Sequence, residues 1–126
     1  MLRFFKRSPK LEVVFRPTRA VARELTREID LAGEIVLRNR GGDAELTDLA
    51  VVLIAGGTRR VDLVLPGAWC GRLRLPAAGE LCETVAWRQT LAAPMRAPAA
   101  AIQLMTTAGG KHTPLATSAP FPLANE

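Results

Sequence analysis

Short apolar runs that alternate with polar residues dominate this chain. Residues 61–65 read Val-Asp-Leu-Val-Leu, which sets Val61, Leu63 and Leu65 on one face. Residues 72–75 read Arg-Leu-Arg-Leu. Residues 84–91 set Val85, Trp87 and Leu91 on one side, with Thr84, Arg88 and Thr90 largely on the other. Ile102 and Leu104 repeat the pattern around Gln103. A period of two belongs to a strand with one face buried and one face wet. Gly41-Gly42, Gly56-Gly57, Pro66-Gly67, Gly79, Pro94 with Pro98, and Gly109-Gly110 separate the runs. Glycine and proline at such intervals are turn signals.

The pattern predicts strands over residues 11–16, 29–38, 46–55, 58–65, 71–75, 81–91, 100–107 and 112–117. The run Leu49–Ile54 is apolar on both parities, which predicts a central strand covered on both faces. Gly56-Gly57 then supplies a tight hairpin turn back into Arg59–Leu65. Residues 18–28 admit two readings. Val21, Leu25 and Ile29 fall at helical spacing after Pro17 and a Thr18 cap, yet the same residues suit an irregular edge strand leading into Glu28–Arg38. The segment from Thr113 to Glu126 contains Pro114, Pro120 and Pro122 and reads as an extended tail or a final edge strand. The expected fold is all-β: a single antiparallel β-sandwich of about seven to eight strands. Its expected divisions are a basic N-terminal arm at 1–10, the sandwich at 11–117 and a proline-containing C-terminal tail at 118–126.

Composition agrees with one core-forming domain: 126 residues, 48% hydrophobic and 23% charged. No apolar run approaches the roughly 18–20 residues of a membrane span, so no integral membrane segment is expected. The net charge of +5 is unevenly placed. Residues 1–27 carry eight basic side chains against Glu12 and Glu24, a net +6, and the remainder carries −1. A basic N-terminal segment suits contact with anionic lipid or nucleic acid, docking to a partner, or simple solubility. On a helical wheel Met1, Leu2, Phe4 and Phe5 gather opposite Arg3, Lys6 and Arg7, the arrangement of a short interfacial segment. Ser8-Pro9 ends it, and no apolar stretch of the kind found in a signal peptide follows the basic residues. Arg3, Phe4, Phe5, Lys6, Arg7 and Lys10 are therefore candidate contacts for a partner or an anion.

Catalytic chemistry has little to build on. His112 is the single histidine and sits in a turn-like setting, Gly109-Gly110-Lys111-His112-Thr113-Pro114. Glu80 and Glu83 flank a strand start, where acids are usually solvated. Cys70 and Cys82 stand twelve positions apart, read as a reduced cytoplasmic pair, and their spacing does not say whether they pair. A zinc site would require more ligands than one imidazole and two thiols. No catalytic residue, metal or cofactor is expected. Trp87 lies on the apolar parity of a good strand and reads as core. Trp69, in the loop Pro66-Gly67-Ala68-Trp69-Cys70-Gly71, is either an exposed partner contact or a plug folded over the sandwich end.

Several segments, in order, carry a family resemblance. A Phe-Phe-Lys start precedes the early strand Leu11–Phe15. Gly33–Leu37 reads Gly-Glu-Ile-Val-Leu and is followed by Gly41-Gly42 and an apolar strand. Then come Leu75-Pro76-Ala77-Ala78-Gly79-Glu80, the aromatic strand at Trp87, a bend at Pro94 and Pro98, and Leu104-Met105-Thr106-Thr107. Over about residues 1–108 the chain resembles the bacterial sporulation-control proteins, whose fold is arrestin-like. Such proteins look like paired sandwiches, whereas this chain has room for one, and their aromatic, acidic character is replaced here by Arg and Ala. The resemblance implies an immunoglobulin- or arrestin-like sandwich acting as a non-catalytic, cytoplasmic adaptor or regulator that binds a protein partner. It transfers no catalytic residue. The alternative expectation is an anionic-membrane-surface or nucleic-acid binder acting through residues 1–27.

Overall fold

A computed structural model describes residues 9–56, 58–107 and 110–126. Regular structure among these residues is nearly all strand, with a 3-10 turn at Gly67–Trp69 and no α-helix. The strands are β1 (Leu11–Arg23), β2 (Glu28–Asn39), β3 (Ala44–Leu46), β4 (Leu49–Ala55), β5 (Arg59–Leu63), β6 (Leu73–Leu75), β7 (Glu80–Thr90), β8 (Ala99–Thr106), β9 (Thr113–Thr117), β10 (Phe121–Pro122) and β11 (Ala124–Asn125). One sheet has the order β11-β1-β2-β7, a second the order β10-β8-β4-β5 with β9 also on β8, and β3 pairs β6 alone.

The two larger sheets share one core. Val13, Ile29, Leu31, Ile35, Leu37 and Trp87 come to it from the first sheet, and Val51, Leu53, Val61, Leu63, Ile102 and Leu104 from the second. Phe15 on β1 joins the layers, its ring 5.8 Å from Trp87 and 5.0 Å edge-on from Phe121 of β10. The period-two reading therefore selected the inward faces correctly at Val61, Leu63, Val85, Trp87, Ile102 and Leu104. Strand β4 lies between β5 and β8 with Leu49, Val51, Leu53 and Ala55 inward, while Val52 on the opposite parity is also buried. Ala50 and Ile54 on that parity are half-buried, so the second face of the apolar run is covered in part.

Residues 18–28 are extended to Arg23, and then turn. Strand β1 passes through a register shift between Pro17 and Arg19 and resumes against β2 up to Arg23↔Glu28. Gly33 stands opposite this irregularity, and a Cβ there would lie 2.2 Å from the carbonyl oxygen of Arg16. The turn closes with Arg27 at φ 56° and its amide donating to the carbonyl of Glu24.

The C-terminal segment is part of the body rather than a tail. It pairs first with β8 through β10 and then, in parallel, with β1 through β11. Phe121 and Leu123 enter the core between these pairings. Burial of two large apolar side chains, about 1.5–3 kcal/mol each, explains why a proline-marked stretch is held in place. The expected boundary at 117 thus falls inside the domain, and the sheets are not wholly antiparallel.

Candidate functional site

The strand edges are where this fold can meet another chain, and they are unequally protected. Strand β1 is covered by β11 only at Val21 and Ala22, and the rest of its edge carries Pro17 and the register shift. Strand β9 contains Pro114 and a register shift of its own. Strand β5 is five residues long. Two carbonyls along its edge are occupied: Gln89 Nε2 donates to the Asp62 carbonyl at 2.6 Å, and Trp87 Nε1 to the carbonyl of Val64, just past the strand, at 2.7 Å. These two side chains close one flank of the sandwich, as β10 and β11 close the other.

Strand β7 differs from all of these. Its 11 residues contain no proline, and its register with β2 is unbroken from Glu80↔Arg38 to Thr90↔Glu28. Among the described residues no strand pairs with its second edge. The hydrogen bonds at its two ends set the parity of the ladder. The Asn39 amide donates to the Gly79 carbonyl at 2.9 Å, and the Leu91 amide to the Arg27 carbonyl at 2.7 Å. In an antiparallel pair, residues that exchange bonds alternate with residues that do not. The odd residues of β7 therefore bond β2. The main-chain N–H and C=O groups of Glu80, Cys82, Thr84, Ala86, Arg88 and Thr90 point to the open side.

Side chains around this edge are largely engaged within the first sheet. Arg38 Nε donates to Glu80 at 2.9 Å, and Arg88 Nε lies 3.1 Å from Glu28. Cys82 Sγ donates to Glu34 Oε2 at 3.1 Å. That hydrogen bond, followed by desolvation, pushes the Cys82 thiol above its ordinary value. Both cysteines are free and exposed.

The basic segment proves to be two different things. Arg3, Phe4, Phe5, Lys6 and Arg7 lie outside the described residues. From Leu11 onward the segment is strand, and its cations face acids on β2. Arg16 stands opposite Glu34, Arg19 Nε is 3.4 Å from Asp30, and Arg23 Nη1 reaches Glu28 at 2.8 Å and Asp30 at 3.3 Å. The bond to Asp30 raises the already high Arg23 value, against the opposing effect of burial. Much of the sequence-level charge excess is thus neutralised across the β1–β2 hairpin. Lys10 is exposed, and its main chain is anchored: its amide donates to Asn39 Oδ1 at 3.3 Å, and its carbonyl accepts from the Arg40 amide at 2.8 Å. Asn39, 1% exposed, also donates to the carbonyls of Gly42 and Leu75.

Trp69 is a correction to its place among the candidate contacts. It is 1% exposed and joins the core, because the 3-10 turn over Gly67–Trp69 folds the indole inward; among the described residues its Nε1 has no hydrogen-bond partner. An indole buries more apolar area than almost any other side chain, so the plug outweighs the unpaired N–H. His112 is exposed just before β9. A surface groove of about 490 Å³ is lined by Asp43, Ala44, Glu45, Arg74 and Pro76. Its carboxylates are engaged, Asp43 by the Ala77 amide at 2.9 Å and Glu45 by Arg72 at 2.9 Å. Among the described residues no group of three or more His, Cys, Asp or Glu side chains is placed to hold a metal ion, and no helix is long and apolar enough to cross a membrane.

The β7 edge was not among the residues singled out from sequence. Its signal was present in the unbroken alternation of residues 84–91, but alternation does not reveal which strand lacks a neighbour.

No family model matches this chain, and no curated protein matches it. Some solved structures are similar in outline. One is an X-ray structure of a Northeast Structural Genomics Consortium target, 13% identical, with 95% of this chain and 87% of that one covered and a TM-score of 0.43. Another is a Bordetella pertussis protein assigned as ApaA, 14% identical, with 95% and 94% covered and a TM-score of 0.43. A third is the Pseudomonas fluorescens alkylpurine DNA glycosylase AlkC bound to DNA containing an abasic site analogue, 14% identical. There the match covers 91% of this chain and 30% of that one, with a TM-score of 0.39. No functional residue is carried over from any of them.

Proposed function

We propose that this protein is a non-enzymatic interaction or regulatory module of arrestin-like, immunoglobulin-like type, which receives an extended segment of a protein partner along β7. The observation that supports this reading is the open edge of β7: 11 residues, unbroken in register, with the main-chain groups of its even positions turned outward. An edge of this kind templates strand addition, in which main-chain hydrogen bonds supply affinity and flanking side chains supply selectivity. The other edges are interrupted by proline, short, or capped by side chains.

Ala86→Pro tests the reading. Its N–H points away from β2, so proline at this position removes an edge donor without removing a ladder bond. The expected result is a saturable protein partner in pull-down that the wild type retains at moderate salt and the variant loses. Retention by the variant, or recovery of only salt-labile material, counts against β7.

The membrane-surface or nucleic-acid reading draws on Arg3, Lys6, Arg7 and Lys10, because the arginines of β1 already face acids. Deleting residues 1–10 and measuring binding to anionic vesicles and to DNA tests it, and unchanged binding rejects it.

A further inference from the structure

The reading of β7 as a docking edge leaves its occupant unnamed, and the side chains of β7 point to one. We propose that the occupant is β7 of a second copy of this chain, paired antiparallel about a twofold axis through Thr84, so that two four-stranded sheets join into one. This inference rests on the docking reading.

Parity restricts the pairing first. Only even residues turn their main-chain groups outward, so even residues must meet even residues across the axis. Charge then selects among the registers that remain. With Thr84 on the axis, Glu80 stands opposite Arg88 of the second copy, and symmetry makes the same contact twice. Moving the axis by one residue in either direction sets Glu80 opposite a neutral residue, Thr90 or Ala86. Opposite charges directly across an antiparallel pair are favourable, and Thr opposite Thr is also a favourable cross-strand pair.

Both charged residues remain accessible for this contact. The Glu80 side chain is 52% exposed and the Arg88 side chain 69%. Arg88 approaches Glu28 through Nε, and a guanidinium carries further donors on its terminal nitrogens. On the other face the register sets half-buried Leu81 opposite Trp87, extending apolar contact across the seam. Glu83 meets Val85 there, the one uncomplemented position. The even residues Glu80, Cys82, Thr84, Ala86 and Arg88 of each copy would exchange main-chain bonds.

Sedimentation velocity of the full chain over a concentration series tests the proposal. The wild type is expected to show a monomer–dimer equilibrium. Glu80→Arg and Arg88→Glu each create two like-charge contacts, and each should weaken the dimer by roughly tenfold or more. The double variant restores the pairing with signs exchanged and should recover most of the affinity. Thr84→Cys in a Cys70→Ser/Cys82→Ser background should form an interchain disulfide on mild oxidation, because directly opposed Cα atoms at about 5.5 Å are within disulfide reach. A wild type that stays monomeric at every concentration overturns the second copy as occupant. So does a dimer unaffected by the single charge reversals. In either case a protein captured by the wild type and lost by Ala86→Pro would keep the docking reading alive, and its absence would remove that reading as well.

Discussion

Strands β5 and β7 end their respective sheets on the same flank of the molecule, yet they have opposite fates. The carbonyls of Asp62 on β5 and of Val64 just past it are met by Gln89 and Trp87, which cross from the inward face of β7. The outward groups of β7 itself receive no strand among the described residues. One edge is therefore sealed by side chains that the other supplies. The asymmetry teaches that edge protection here is a matter of reach. An indole or a carboxamide spans the gap between sheets, whereas a short residue on the far side of β7 has nothing comparable to cover it. The result is a sandwich with one sealed flank and one usable strand.

The contrast can be attacked at several strengths. The largest effect is expected from adjacent prolines on β7. Val85→Pro removes a ladder donor to β2 and a buried side chain, and should cost about 3 kcal/mol or more, whereas Ala86→Pro should cost roughly 1 kcal/mol or less. Urea denaturation of the two variants measures the difference. Equal losses would show that both faces of β7 carry the fold and would undo the parity assignment.

A smaller effect is expected where β7 seals β5. Trp87→Phe keeps most of the ring volume but strips the Val64 carbonyl of its partner, for an expected loss of about 1–3 kcal/mol. Gln89→Ala uncovers the Asp62 carbonyl at a more exposed place and should cost about 0.5–1.5 kcal/mol. The double variant, with the β5 edge open, should aggregate faster on warming than either single one, as light scattering would register. No change in scattering would mean that β5 is protected by its shortness instead.

The smallest effect concerns the outer face of β7. Cys82 donates to Glu34, which favours the neutral thiol and raises its pKa. Because the thiolate is the nucleophile, alkylation of Cys82 should begin at higher pH than for an ordinary thiol. The same bond contributes to stability while the thiol is protonated, and that contribution is lost as pH rises through the raised value. Glu34→Gln should shift the alkylation profile of Cys82 to lower pH, read by mass spectrometry at that residue. An unmoved profile would mean that the hydrogen bond does not govern the thiol.

Much of the molecule was legible in residue order. Alternation at Val61–Leu65, Val85–Leu91 and Ile102–Leu104 identified inward faces, because a strand's side chains alternate by covalent geometry alone. Gly56, with φ 59°, lies in the hairpin from β4 to β5, and Gly57, read as its partner in the turn, lies outside the described residues. The Thr18–Glu28 segment was ambiguous because helical spacing and strand context compete locally, and pairing with β2 settles it in favour of strand up to Arg23. Trp69 could be assigned to neither surface nor core, since a loop residue's burial depends on what lies beneath the turn. The C-terminal segment was read only as extended, and its local composition carries no sign that Phe121 and Leu123 fill the gap between two sheets.

Charge shows the division most clearly. Residue order placed a net +6 in the first 27 positions. It could not show that Arg16, Arg19 and Arg23 would each face an acid of β2, because register across a hairpin is set by the turn and by the pattern of buried side chains together. Nor could it show which strand would stand last in its sheet. Periodicity is a property of one strand at a time. An open edge is a property of the neighbours a strand lacks, and only the assembled sheets define it.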